Sequence, residues 1–393
     1  MTYEQIMKSA DGNIYYMPGL AFSTVNRAYS KMWINKEWLD TLGLETPKTT
    51  QQFKEVLQAF ATGDPNQNGV ADEIPLVGTV QNPTYSIYDY LIGSFIANNV
   101  RFHRLLVNDG AVSYAANTDE WREAMKYIND LTTNGLLSPL TFTQDLASLK
   151  QMVNDNNNIV GGYTSLGVQG VAVANNPEII SRYVGLAPLE GPKGVRHGVL
   201  SIPTPSANGV ITSECMYPEA VFRLFDFMLS EEASTLSRFG IEGEHWVVPE
   251  EGALTNYGMP ATINIVDNIW NIPQNTMWQN QCPYINRQGD GQQRSENPND
   301  PVRKNCEAAV QYLECEPQNI IPTLTYSLDE IDKVNDIVTN INDYVDTMVA
   351  KFAVGELNPY DDDDWNRYLR EFEVLELDRL LEISQTAYDR MSQ

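Results

Sequence analysis

Asp64-Pro65-Asn66-Gln67-Asn68-Gly69-Val70-Ala71-Asp72-Glu73 lies between a capped helical stretch and an apolar run, and its spacing is the most informative in the chain. Asp64, Asn66 and Asn68 bring side-chain oxygens to alternate positions, Gly69 permits a sharp turn, and Asp72 and Glu73 follow. A hard cation such as Ca2+ takes roughly six to eight oxygen ligands, and a loop supplies them from every second residue around a glycine turn. The Val70 carbonyl stands where the seventh position of an EF-hand gives a backbone ligand. The twelfth EF-hand position, a bidentate Glu, is Pro75 here, so Asp72 and Glu73 have to close the shell. The expectation is a structural Ca2+ held by Asp64, Asn66, Asn68, Val70, Asp72 and Glu73 in a loop that is not an EF-hand. A solvated polar turn is the competing reading, since Asp, Asn, Pro and Gly all favour turns.

Outward from this loop the pattern is regular. Thr49 and Gln52 have capping-box spacing, Phe53, Val56, Leu57 and Phe60 share one helical face, and Gly63 suits the helix C-terminus. Ile74, Leu76 and Val77 start a buried segment, so the ion would clamp a helix end to the next element. Short strands are expected at 14–17, 32–35, 158–163 and 183–186. Helices are expected over 36–42, from Asn117 with Glu120 to Gly135, over 144–153, after Pro218, after Ser327 with Glu330, and after Asp361–Asp364. Short strands among longer helices spell α/β. Residues 187–213 are rich in Pro, Gly and Ser and read as the crossing between two domains. Residues 260–301 hold Trp270, Trp278 and Tyr284 without a period.

Composition narrows the function classes. A chain of 393 residues with 42% apolar content has room for two cored domains. Its 26 basic against 52 acidic residues, a formal charge of -26, repel nucleic-acid phosphates and anionic headgroups. No run of about twenty apolar residues provides a transmembrane segment, and Met1-Thr2-Tyr3-Glu4 opens no signal peptide. The N-terminus read alone points to the cytoplasm, whereas a calcium loop points outside the cell; a processed or truncated N-terminus reconciles the two. Cys215, Cys282, Cys306 and Cys315 have no metal-ligand spacing. A disulfide among the last three and independent thiols both remain open.

The strings Asp11-Gly12-Asn13-Ile14-Tyr15 to Pro18, Trp33-Ile34-Asn35-Lys36-Glu37-Trp38-Leu39-Asp40-Thr41-Leu42-Gly43-Leu44 and Pro47-Lys48-Thr49-Thr50 resemble the extracellular solute-binding protein family 1, the capture subunits of bacterial ABC importers. The 64–73 loop resembles the calcium loop of its large oligosaccharide-binding members. Gly135-Leu136-Leu137-Ser138-Pro139, the 344–355 stretch, Trp365 and Ala387-Tyr388-Asp389-Arg390 also fit. The resemblance implies an α/β, two-lobe periplasmic-binding-protein-like (type II) fold with a ligand cleft between lobes. Residues 1–25 and 206–320 would form the first lobe, and 31–205 with 321–393 the second. It further implies an oligosaccharide ligand, an ABC permease partner and a cell-surface lipoprotein or periplasmic location. Family members carry a lipobox signal and much of the first lobe before the Asp11–Tyr15 strand, so the first lobe is expected to be incomplete here.

Sugar recognition pairs aromatic platforms for the apolar pyranose face with polar groups for the hydroxyls. Candidate platforms are Trp246, Trp270 and Trp278 in the irregular region, with Tyr29, Tyr85, Tyr88 and Tyr163 on the other side; core packing is the alternative for each. Trp33, Trp38, Trp121 and Trp365 read as packing residues. The net charge favours neutral glycans over uronates, and a local Arg cluster would reverse that. A glycan-active enzyme would need two facing carboxylates, and no local signature picks out a pair. His103, His197 and His245 have no nucleophile motif beside them, and Gly161-Gly162 lacks the Lys and Ser or Thr of a phosphate loop. A calcium-stabilised carbohydrate-adhesion module is a further alternative, weakened because the loop occurs once. Capture without catalysis is the expected function.

Overall fold

The computed structural model describes residues 3–9, 11–173, 176–201, 204–267 and 275–391. The strands are β1 Met17–Ala21, β2 Lys31–Asn35, β3 Leu105–Asn108, β4 Ala111–Tyr114, β5 Gly162–Ser165, β6 Tyr183–Leu186, β7 Ser206–Gly209, β8 Trp246–Val247, β9 Asn264–Ile265 and β10 Tyr284–Asn286. The first helices are α1 Tyr3–Met7, α2 Thr24–Arg27, α3 Lys36–Thr41, α4 Thr50–Thr62, α5 Ile87–Ile92, α6 Asp119–Thr133 and α7 Leu146–Val153. They are followed by α8 Pro177–Arg182, α9 Pro218–Met228, α10 Glu231–Phe239, α11 Pro301–Leu313, α12 Leu328–Val354, α13 Asp362–Val374 and α14 Leu377–Met391. The expected α/β class is present.

Two compact units share the chain. Unit 1 comprises Met1–Arg27, Ile202–Pro298 and Thr325–Ser327, and unit 2 comprises Ala28–Ser201, Asn299–Leu324 and Leu328–Gln393. The 299–320 stretch, expected with the first lobe, packs in unit 2 instead. The cause lies in α11: a Cβ added at Gly185 of β6 would come within 2.4 Å of Ala308 Cβ, so helix and strand meet at glycine distance. The Tyr312 hydroxyl accepts a 2.8 Å hydrogen bond from the Met32 amide of β2, and Lys304 Nζ donates to the Tyr183 carbonyl.

In unit 2 the central sheet runs β5-β2-β6, with both neighbours antiparallel to β2. Trp33 stands opposite Tyr163 and Gly185, and its ring is buried among Val77, Leu149, Val160, Ile180 and Ala308. Trp38, Trp121 and Trp365 are also buried, matching their reading as packing residues. The expected strand over 158–163 begins later, at Gly162, because Val160 makes only a single bridge to Ile74. Helix α6 is capped by Thr118, whose Oγ1 accepts from the Trp121 amide, not by the expected Asn117. Asn117 belongs instead to the short 3-10 turn Ala115–Asn117.

In unit 1 the sheet runs β10-β1-β7, with β1 parallel to β10 and antiparallel to β7. Helix α9 begins at Pro218 as expected, but Val221, Leu224, Phe225 and Met228, whose helical spacing predicts a core-facing side, are not buried, nor is any other residue of the helix. Phe222, Leu224 and Phe227 are 51%, 50% and 55% exposed. Its Phe225 ring touches the β7 backbone at Gly209. An apolar face this open is rare on a soluble domain.

Candidate functional site

The 64–73 loop follows α4, whose N-cap Thr49 accepts from the Gln52 amide while Gln52 Oε1 accepts from the Lys48 amide. Gly63 ends the helix at φ -99°, so its left-handed freedom is unused. A side chain there would meet the Ala59 carbonyl at 2.7 Å. The turn of hand comes next, at Asp64, Gln67 and Gly69, with φ of 45°, 57° and 73°. The Asp64 carboxylate accepts from the Asn68 and Gly69 amides, Asn66 Oδ1 accepts from the Asn68 amide, and Asn68 Oδ1 accepts from the Val70 amide. The Asn66 and Asn68 side-chain amides donate to the Asp72 carboxylate at 3.0 and 3.1 Å. The Val70 carbonyl accepts from the Asp72 amide. The loop therefore draws five of its six predicted groups into one hydrogen-bonded ring. The sixth, Glu73, has Oε1 buried with no partner in the protein.

That orphaned oxygen is the feature of the loop that fits a cation, since a buried acceptor without a donor is costly. The donor set is all oxygen, as Ca2+ requires. Among the described residues no group of three or more His, Cys, Asp or Glu side chains already converges as a metal cluster. Ile74 then runs beside the next element, its amide donating to Ile159 and its carbonyl accepting from Gly161. The loop thus joins the end of α4 to the approach to β5.

The aromatic candidates separate by burial. Tyr163 is fully buried in the core, and its hydroxyl donates to the Val168 carbonyl at 3.0 Å. Tyr88 is buried, with its hydroxyl on Asp346 at 2.9 Å. Tyr29 is buried under the Arg101 guanidinium, 4.5 Å from the ring centroid. These three are enclosed packing residues and present no open ring, a correction to their reading as platforms. Tyr85 ends a short 3-10 turn and packs half-buried against the unit 2 core.

Trp246 and Trp278 are both half-buried in unit 1 and converge on α10. Trp246 Nε1 donates to the Gly240 carbonyl at 3.1 Å, and the Trp278 amide donates to the Ser237 carbonyl at 3.0 Å. The Trp246 indole and the Trp278 main chain are thus both anchored at the C-terminal end of α10. Trp270 lies outside the described residues. Cys215, Cys282 and Cys315 are free thiols.

A polar cluster that sequence reasoning passed over sits inside unit 2. Asp89, on α5, is buried; Asn98 Nδ2 donates to its Oδ1 at 2.5 Å, while its Oδ2 has no partner in the protein. Arg104 is fully buried and pairs with Asp346 at 2.6 Å and Asn342 at 2.5 Å on α12. Burial pushes the Asp89 carboxyl up to about 6; nearby Arg104 opposes this and Asp346 adds to it. A carboxylate inside the apolar run Ile87–Ile92 was the available signal.

The folded chain is therefore a two-unit α/β protein with an oxygen-lined loop and two half-buried tryptophans anchored at α10. It belongs to the bacterial extracellular solute-binding protein family, whose family model matches residues 5–235. A fructooligosaccharide ABC transporter substrate-binding protein, FusA, of Streptococcus pneumoniae is 27% identical over 99% of this chain and 71% of its own length. A polygalacturonan/rhamnogalacturonan-binding protein of Bacillus subtilis, YtcQ, is 26% identical over 56% of this chain and 44% of its own. The structure of FusA with kestose superposes with a TM-score of 0.75 at 26% identity, covering 99% of this chain and 79% of that one. A solute-binding protein of Bifidobacterium longum subsp. infantis shares the fold, with a TM-score of 0.81 at 19% identity over 100% and 79% of the two chains. Among the described residues no helix is long and apolar enough to cross a membrane.

Proposed function

We propose that this protein captures an oligosaccharide outside the cytoplasm and delivers it to an ABC permease, binding it without turnover. The observation that carries this reading is the match to FusA, a fructooligosaccharide-binding subunit, across nearly the whole chain. Two half-buried tryptophans support it from within: Trp246 and Trp278 carry indoles of the kind that stack on sugar rings, and Trp270 is a third candidate outside the described residues. Tyr85 is the remaining half-open candidate, in unit 2. The charge of -26 favours a neutral glycan over a uronate. Export and lipid anchoring, which keep a capture subunit beside its permease, belong to the same reading.

The 64–73 loop is assigned here to a structural Ca2+, with Asp64, Asn66, Asn68, the Val70 carbonyl, Asp72 and Glu73 as ligands. The unpartnered Glu73 oxygen supports this, as does the existence of a FusA EF-hand mutant studied with fructo-nystose. The ion would offset two of the three carboxylate charges and hold the end of α4 to the segment after Ile74. It would have no part in chemistry.

Calorimetry with kestose and with an oligogalacturonate tests the function. Saturable kestose binding is expected, with the sugar recovered intact by chromatography, and Trp246→Ala and Trp278→Ala are each expected to weaken it about tenfold, the worth of one stacking platform. Recovery of cleavage products would establish an enzyme. Calcium-dependent adherence to insoluble glycan without soluble binding would establish adhesion.

A further inference from the structure

We propose that unit 2 carries a pocket for a single neutral sugar ring, formed by Ser94, Phe95, the first two turns of α6 and the 191–194 turn. Its cavity is about 400 Å3, within the range that small polar ligands fill. The lining combines one aromatic ring with three cations and three carboxylates: Arg122, Lys126 and Lys193 against Asp119, Glu120 and Glu123. The assignment is carried by this lining alone and does not depend on the oligosaccharide reading.

The charges define the ligand class. Lys193 pairs with Glu120 at 3.3 Å and Lys126 with Glu123 at 2.7 Å. Arg122 is engaged by Asp362 and the Pro359 carbonyl, both at 2.8 Å. Every cation already has its carboxylate, so an anionic ligand would have to break an ion pair to gain one. A polyol breaks none. Its hydroxyls donate to carboxylate oxygens and accept from ammonium groups, so one ring with vicinal hydroxyls uses both kinds of wall at once. Phe95 is half-buried, its ring tilted at 44° to Tyr127 with centroids 5.7 Å apart, and it supplies the apolar wall that the C–H face of a pyranose covers.

Ser94 is 1% exposed and lines the pocket. The walls are also fixed in advance. A Cβ at Gly191 would sit 1.8 Å from the Ser94 carbonyl, so only glycine lets the turn reach the end of α5. The His197 amide bonds the Gly93 carbonyl at 2.9 Å, and Gly194 closes the turn at φ +75°. A preformed pocket spares a weak ligand the cost of ordering it.

Saturation-transfer NMR with glucose and with fructose, on the full chain, tests the assignment. Transfer to at least one of the two is expected at millimolar concentration, and Phe95→Ala should weaken it about tenfold while kestose affinity by calorimetry stays unchanged. Lys193→Gln, at a 66% exposed side chain that cannot unfold the protein, should weaken it several-fold. The proposal is overturned if the parent gives no transfer from either sugar, if both variants give parental transfer, or if glucuronate displaces the neutral sugars. Loss of kestose binding alongside intact monosaccharide transfer would count against the oligosaccharide reading and leave this pocket standing.

Discussion

Acidifying this protein from pH 7 to pH 4 should strengthen unit 2 through Asp89, and Asp89→Asn isolates the effect. The carboxyl is buried, holds one hydrogen bond from Asn98, and has an unpartnered Oδ2. Its folded value of about 6 lies above the ordinary 3.8. A raised carboxyl contributes stability that is fully present below 3.8 and is lost as pH rises through about 6. The gap corresponds to about 3 kcal/mol, or a shift in melting temperature of roughly 10 °C for a unit of this size. The charged and titratable groups around it are Arg104, Asp346, Arg101 and the neutral Tyr88 and Tyr29 phenols. Two half-buried histidines act in the opposite sense. Burial holds His103 and His197 below their ordinary 6.5, so their contribution is lost as pH falls below that value. Relief of the net negative charge adds a third, diffuse slope. The difference between parent and variant removes both backgrounds. In urea melts at pH 7, 5.5 and 4, Asp89→Asn should lose about 3 kcal/mol relative to the parent as the pH falls. Parallel parent and variant profiles would refute the assignment of a strained carboxylate at this position.

Calcium should stabilise the parent by about 2.7 kcal/mol at a hundredfold excess over its dissociation constant, read as a higher melting temperature, and should leave Asp64→Ala unresponsive. The same variant loses the acceptor for the Asn68 and Gly69 amides and should be less stable by about 1–3 kcal/mol even without the ion; an unchanged melting temperature with abolished kestose binding would move the loop from support to ligand contact. Gly185→Ala should cost about 2 kcal/mol, because its methyl enters the space of Ala308 at the α11–β6 contact, and a neutral result in urea melts would remove that contact from the reasons α11 packs in unit 2. The open face of α9 should bind an apolar dye, and the double substitution Phe222→Glu, Phe227→Lys should reduce the fluorescence without lowering stability, since both rings are more than half exposed. A destabilised double variant would show that these rings pack.

Local signals were legible wherever a few neighbouring residues carry the physics. The Thr49 cap, the faces of α4 and α6, and the burial of Trp33, Trp38, Trp121 and Trp365 follow from spacing, because helix periodicity and capping act over three or four residues. The order of oxygen-bearing side chains in 64–73 is likewise local. The choice between Asn117 and Thr118 as cap is decided by the 3-10 turn that ends at Asn117, a one-residue matter that propensity does not separate.

The platforms were less legible, because an aromatic ring reads the same in a core and in a site. Tyr29, Tyr88 and Tyr163 resemble Trp246 and Trp278 in sequence, and only long-range packing distinguishes them. Tyr163 is enclosed because β2 pairs between two strands from residues far along the chain, and Tyr88 because α12 brings Asp346 to its hydroxyl. Sequence alone determined the α/β class, the helix faces, the order of oxygen-bearing side chains in the 64–73 loop and, through ordered short motifs, the family. Tertiary structure alone decided which aromatics remain open, that α11 belongs to unit 2, that Arg104 and Asp89 share a buried cluster, and that Ser94 and Phe95 line a cavity. The division follows range: spacing encodes contacts within a few residues, while burial and pairing depend on chain brought together from hundreds of positions away.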